Sequence, residues 1–117
     1  MNVDGATLSS SQHGHHVVVS VSGELDVFNA ARIVELVEAA VPTDAHGAVL
    51  DLSGVVFLDS TAIRKLFALT SRLGERRQPV RVVTPTGSMV LRTLELVEFG
   101  RAAPMFGSLE EALAGLG

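Results

Sequence analysis

The sequence predicts a single α/β domain, with a mostly parallel sheet of four or five strands and helices packed against it. Three observations predict this fold. Segments rich in β-branched residues alternate with segments whose apolar residues recur at helical spacing. The loops between them are short, and this order favours parallel strands joined by right-handed crossovers. The length of 117 residues suits one domain with one core.

The amino-terminal half of the predicted domain begins with a strand. The stretch HHVVVSVSGELD carries β-branched residues in near alternation, and Gly23 permits a turn after it. Residues 28–41 repeat apolar side chains at helical spacing, and residues 47–53 form a short apolar strand. Residues 1–14 show no such pattern. We therefore expect them to be a flexible segment before a domain that spans residues 15–117.

The carboxyl-terminal half continues the alternation. Apolar spacing predicts a helix over residues 61–73 and another over residues 90–97. The strand between them, residues 80–84, is flanked by prolines, so it should be brief or close to an edge of the sheet. Ser108 and Glu111 form a capping-box pattern, which predicts a short last helix.

Composition excludes several classes of protein. Hydrophobic residues make up 47% of the chain and charged residues 19%, which indicates a globular domain. The absence of cysteine excludes disulfides, thiolate metal sites and a cysteine nucleophile. The net charge of −4 gives no basic face for nucleic acid. Because the sequence shows neither a long apolar stretch nor a secretory signal pattern, we expect a cytoplasmic protein that does not bind membranes.

The histidines do not predict a metal site. His13, His15 and His16 lie close together, but no carboxylate ligand stands at a suitable spacing, and His46 is far along the chain. Ser60 lacks the G-x-S-x-G context of a serine hydrolase, and the chain has no phosphate-binding loop. We therefore predict no cofactor, no metal and no enzymatic activity.

Three small polar residues, Asp59, Ser60 and Thr61, stand between a buried strand and a helix. Any of them can cap the helix, because their oxygens accept hydrogen bonds from the first-turn N–H groups. A hydroxyl at a helix start is also a favourable place for a phosphate, since the helix dipole and free N–H groups attract anions. Asp26, which follows the first strand, should be an exposed carboxylate at the same end of the sheet. Residue types alone leave capping and phosphorylation open.

The stretches SGELDV and VLDLSGVVFLDSTAIRKLFAL resemble the STAS domain family, in particular bacterial anti-sigma factor antagonists. The resemblance extends from about His16 to Leu116. The box that begins at Asp59 departs from the family pattern, because Thr61-Ala62 replaces the usual Ser-Gly. The later stretch ELVEFG also departs from the usual Thr-Gly-Leu ending.

The resemblance implies a phosphorylation switch at Ser60. In the family the matching serine is phosphorylated by an anti-sigma factor with serine kinase activity, and a serine phosphatase reverses the change. The unphosphorylated protein binds that anti-sigma factor and releases the sigma factor. Thr61 is a possible second acceptor. The partner-binding residues implied for this chain are Asp26, Asp59, Thr61, Ala62 and Arg64.

A second interpretation stays open at this point. A STAS-like domain can also be a non-phosphorylated scaffold, for example a subunit of a lipid transporter or of another signalling complex.

Overall fold

A computed structural model describes residues 1–116, which form one sheet of six strands with helices on both faces. The strands lie in the order of the chain. Strands β1 to β3 pair antiparallel, and β3 to β6 pair parallel. The elements are β1 (Asn2–Val3), β2 (Ala6–His13), β3 (His16–Leu25), α1 (Ala30–Ala40), β4 (Gly47–Leu58), α2 (Ser60–Glu75), β5 (Val80–Val83), α3 (Met89–Leu96), a 3₁₀ turn (Phe99–Arg101), β6 (Met105–Phe106) and α4 (Leu109–Leu113).

The predicted α/β class and the parallel part of the sheet are confirmed, and the sheet has six strands where four or five were expected. The segment predicted to be flexible and to precede the domain, residues 1–14, instead belongs to the sheet. It holds β1 and β2, and β2 pairs with β3 from Ala6 opposite Gly23 to His13 opposite His16. Most side chains of β2 are polar and exposed, so it lacks the apolar alternation of a half-buried strand. Backbone hydrogen bonds to β3 hold it in the sheet.

The other elements follow their sequence signals closely. Helix α1 lies within the predicted residues 28–41, and α2 extends the predicted 61–73 at both ends. Strand β4 continues past the predicted residue 53 up to Leu58, with irregular pairing to β3 along the way. Strand β5 is brief, as its flanking prolines predict.

Two apolar layers hold the fold together. The larger core joins one face of the sheet to α1, α2 and α3, through alternate residues such as Val19 on β3 and Leu50 on β4. On the other face α4 packs on Val18 and Val49. Because α1 and α2 are fixed by this core, their first residues have fixed positions at the carboxyl ends of β3 and β4.

Candidate functional site

The site lies where β3 and β4 end side by side. Leu25 and Leu58 are the last paired residues of these strands, and the N–H of Asp59 donates to the Leu25 carbonyl over 3.1 Å. The chain then turns from β3 into α1 and from β4 directly into α2. As a result, the residues that follow both strands are neighbours at one edge of the sheet.

Asp59 is the residue that caps α2. Its Oδ1 accepts a hydrogen bond from the N–H of Ala62 over 2.9 Å, and its Oδ2 accepts one from the N–H of Val27 over 2.8 Å. The first bond satisfies a helix N–H that has no partner within the helix. The second fixes the β3–α1 loop to the start of α2. Because both carboxylate oxygens bond within the chain, Asp59 holds the two loops of this edge together, and its predicted partner-binding role stays a prediction.

Asp26 shapes the β3–α1 loop. Its Oδ1 accepts from the N–H of Phe28 over 2.9 Å, and its own N–H donates to Oδ1 of Asn29 over 3.0 Å. The residue is half-buried, whereas the sequence suggested an exposed carboxylate. The prediction that Asp26 lies at the same edge of the sheet as Ser60 is confirmed by the bond between the neighbouring residues Val27 and Asp59.

Asn29 is a site residue that the sequence analysis missed. It is only 1% exposed, and its amide nitrogen donates to the carbonyls of Glu24 over 2.8 Å and Asp4 over 3.1 Å. It therefore joins the β3–α1 loop to the β1–β2 turn. Its position just before an apolar helix is a capping signal, but that signal does not reveal these long-range bonds.

Ser60 is the first residue of α2 and its side chain is exposed. Since Asp59 makes the capping contact, the Ser60 hydroxyl is not needed to start the helix. Thr61 is half-buried, and its Oγ1 accepts a hydrogen bond from Nη2 of Arg64 over 3.4 Å. Of the two hydroxyls, that of Ser60 is therefore the more accessible.

Ala62 does not contact a partner through its side chain. It is 1% exposed and belongs to the core, so its methyl group is not available to the partner for which the resemblance predicted a contact. The same burial means that its methyl group does not stand over Ser60. Alanine in place of the family's usual glycine strengthens the helix without obstructing the hydroxyl.

Four large, exposed apolar side chains lie next in the chain to the residues at this edge of the sheet. Val27 and Phe28 in the β3–α1 loop are exposed, and Phe28 has 82% of its surface accessible. Val56 and Phe57, near the end of β4, are exposed as well. We call these four residues the apolar rim. Exposed apolar side chains that cluster beside polar groups are typical of surfaces that bind other proteins.

The rest of the described chain offers little alternative chemistry. Residues 1–116 contain no group of three or more histidine or acidic side chains placed to hold a metal ion. The imidazoles of His15 and His46 stack with ring centroids 4.4 Å apart. These residues directly precede β3 and β4, so they lie at the end of the sheet opposite Ser60. Within the same residues, none of the helices has both the length and the apolarity that crossing a membrane requires.

Comparison with known proteins gives a consistent result. The STAS domain family profile matches residues 7–112. The chain is 31% identical over 114 residues to the anti-sigma-F factor antagonist RsfB of Mycobacterium tuberculosis, and the match covers 97% of this chain and 91% of RsfB.

Solved structures show the same fold. The crystal structure of an anti-sigma factor antagonist from Mycobacterium paratuberculosis superposes with a TM-score of 0.82 and 30% identity, covering 95% of this chain and 93% of the other. The anti-sigma factor antagonist SpoIIAA in its unphosphorylated form gives a TM-score of 0.66 at 19% identity, covering 90% and 92% of the two chains. That second likeness concerns the fold alone. The chain belongs to the STAS domain family.

Proposed function

We propose that this protein is a cytoplasmic anti-sigma factor antagonist whose binding is switched off by phosphorylation of Ser60. The observation that carries the proposal is the position of the Ser60 hydroxyl. It is exposed at the first residue of α2, it is spared from capping by Asp59, and it lies beside the apolar rim. Relatives named anti-sigma factor antagonists support the same function.

The unmodified protein docks through the apolar rim. Phe28 supplies the largest anchor, because most of its ring area is free to be buried by a partner. The loop that carries it is held by Asp26 and Asp59, so little conformational freedom is lost on binding. The partner is an anti-sigma factor, which on binding releases its sigma factor.

The anti-sigma factor is also the kinase. It transfers the γ-phosphoryl group of ATP to Oγ of Ser60, the hydroxyl proton passes to a base of the kinase, and ADP leaves. A serine phosphatase reverses the reaction by hydrolysing the phosphoserine with water. The antagonist contributes the hydroxyl and does no catalysis of its own.

Phosphorylation weakens docking through charge. A phosphoserine carries about −1.5 to −2 charges, and Asp26 and Asp59 already make this edge of the sheet acidic. A like-charge contact in an interface costs several kcal/mol, and every 1.4 kcal/mol is about a tenfold change in affinity. An affinity loss of about a hundredfold or more therefore needs no change of fold.

The test uses the anti-sigma factor that co-purifies with the chain. The wild-type protein should gain the mass of one phosphoryl group on incubation with that partner and ATP, Ser60→Ala should gain none, and Thr61→Ala should gain one. Modification of Ser60→Ala, with the added mass located on Thr61 by peptide fragmentation, would show that Thr61 is the acceptor. No modification of any variant, with binding retained, would favour the non-phosphorylated scaffold.

A further inference from the structure

Arg64 lies one helical turn after Ser60, and its side chain reaches back to the first turn of α2 through a contact with Thr61. Residues four apart on a helix lie on the same face, and side chains lean toward the amino-terminal end. The contact between Arg64 Nη2 and Thr61 Oγ1, at 3.4 Å, shows that the guanidinium reaches the first turn of α2. Arg64 is exposed, so it can move to another nearby acceptor.

We propose that Arg64 is the internal counter-ion of the phosphate on Ser60, a role that rests on the proposed function. On phosphorylation the guanidinium leaves the Thr61 hydroxyl and binds the phosphate oxygens. The contact that is given up is long and has a neutral acceptor. The contact that is gained is charge-assisted, and the guanidinium can make two parallel hydrogen bonds to the phosphate.

Other cations on α2 are less suited to this role. Lys65 is exposed, but a residue five positions after Ser60 lies on a different face of the helix. Arg72, near the end of α2, and Arg76, the residue after that helix, pair with Glu38 of α1 at 2.9 and 3.6 Å. Of the cations that α2 presents, Arg64 alone combines the spacing with a side chain already directed at the first turn.

The pairing changes the charge and the position of the phosphate that a partner would contact. Arg64 neutralises part of the phosphate charge within the free domain, and it holds the phosphate against the start of α2. It therefore acts on the phosphorylated form, in contrast to the direct partner contact that the family resemblance suggested for it. Its effect should appear in the titration of the phosphate itself.

The experiment measures that titration without the kinase. Phosphoserine is installed at position 60 of the full chain during translation, and ³¹P NMR follows its second pKa in the wild type, Arg64→Gln, Arg64→Lys and the control Lys65→Gln. Arg64→Gln should raise this pKa by about 0.3 or more, because the dianion loses its counter-ion. Arg64→Lys should raise the pKa by less than Arg64→Gln does, because lysine keeps the positive charge. Lys65→Gln should raise it by less than half as much as Arg64→Gln.

Equal pKa values for the wild type and Arg64→Gln would overturn the proposal. Equal shifts for Arg64→Gln and Lys65→Gln would also overturn it, because the effect would then be one of overall charge. Since translation installs the phosphate, these results are independent of whether the anti-sigma factor phosphorylates Ser60. If the anti-sigma factor does not phosphorylate Ser60, the proposed function is contradicted. The titration of the installed phosphoserine still tests the pairing with Arg64.

Discussion

The carboxylate of Asp59 accepts a hydrogen bond from the N–H of Val27, 32 residues earlier in the chain, over 2.8 Å. Its other oxygen caps α2 through the N–H of Ala62. One side chain therefore sets both the start of the helix that presents Ser60 and the position of the loop that presents Phe28. The helix start with the predicted phosphoacceptor and the loop with the exposed Phe28 are therefore fixed relative to each other by one half-buried residue.

Replacement of Asp59 by alanine should destabilise the domain. The variant loses a helix cap and leaves the Val27 N–H without its partner, so the free energy of unfolding should fall by about 1–3 kcal/mol. Urea unfolding measures the loss, and hydrogen exchange should show faster exchange at the amides of Val27 and Ala62. Asp59→Asn is the matched variant, because its single carbonyl oxygen can keep one of the two bonds. Unchanged stability in Asp59→Ala would contradict the dual role.

Replacement of Asp26 by alanine should lower both stability and affinity. Its half-buried carboxylate holds the N–H of Phe28, so the free energy of unfolding should fall by about 0.5–1.5 kcal/mol. Affinity for the anti-sigma factor should fall as well, because the loop carrying Phe28 loses its fixed shape. Calorimetric titration and urea unfolding measure the two effects. Asp26→Asn retains a carbonyl oxygen for the same bond and should recover most of the stability.

Phe28→Ala should weaken partner binding without loss of stability. Phe28 is 82% exposed, so removal of its ring leaves no cavity. Burial of an aromatic anchor in an interface is commonly worth a tenfold change in affinity, about 1.4 kcal/mol, or more. Leu96→Ala is the control, because Leu96 is 86% exposed on a different element, α3. Equal effects of the two substitutions on binding would show that the apolar rim is not the docking surface.

The parts of the fold that could be predicted from sequence are those that bury side chains. Strand β3 and helix α2 are visible in the sequence because their apolar residues are buried against other elements. Strand β2 shows none, since its polar side chains face solvent and its bonds to β3 come from the backbone. Local patterns do not encode such pairing.

The site was predictable to a similar extent. Asp59 and Ser60 stand in a local motif, so their place before a helix followed from the sequence. The split of roles between them did not, because it depends on the bond to Val27, a residue distant in the chain. Asn29 was missed for the same reason, since its bonds to Asp4 and Glu24 form only in the folded domain.

Stability should fall as the pH drops below about 6.5 because of His16. Burial, followed by the nearby His46, Arg81, His13 and His15, lowers the pKa of His16 below its ordinary value of 6.5. The unfolded chain then binds a proton more readily than the folded one, so the stability present above pH 6.5 is lost progressively below it. Urea unfolding at about pH 7.5 and about pH 5.5 measures the loss. His16→Gln should flatten the dependence, and an unchanged slope would contradict the assignment to His16.

Substitutions at Ser60 should separate stability from affinity. Because Asp59 caps α2, Ser60→Ala should leave the free energy of unfolding within about 0.5 kcal/mol of the wild type and keep partner binding. Ser60→Asp places a negative charge at the helix start, where the dipole favours it by about 0.3–1 kcal/mol, partly offset by Asp59. It should therefore be at least as stable as Ser60→Ala, yet bind the anti-sigma factor more weakly. Parallel urea unfolding and calorimetric titration test this combination. If Ser60→Asp loses stability and affinity together, damage to the fold explains the weaker binding, and the charge switch is contradicted.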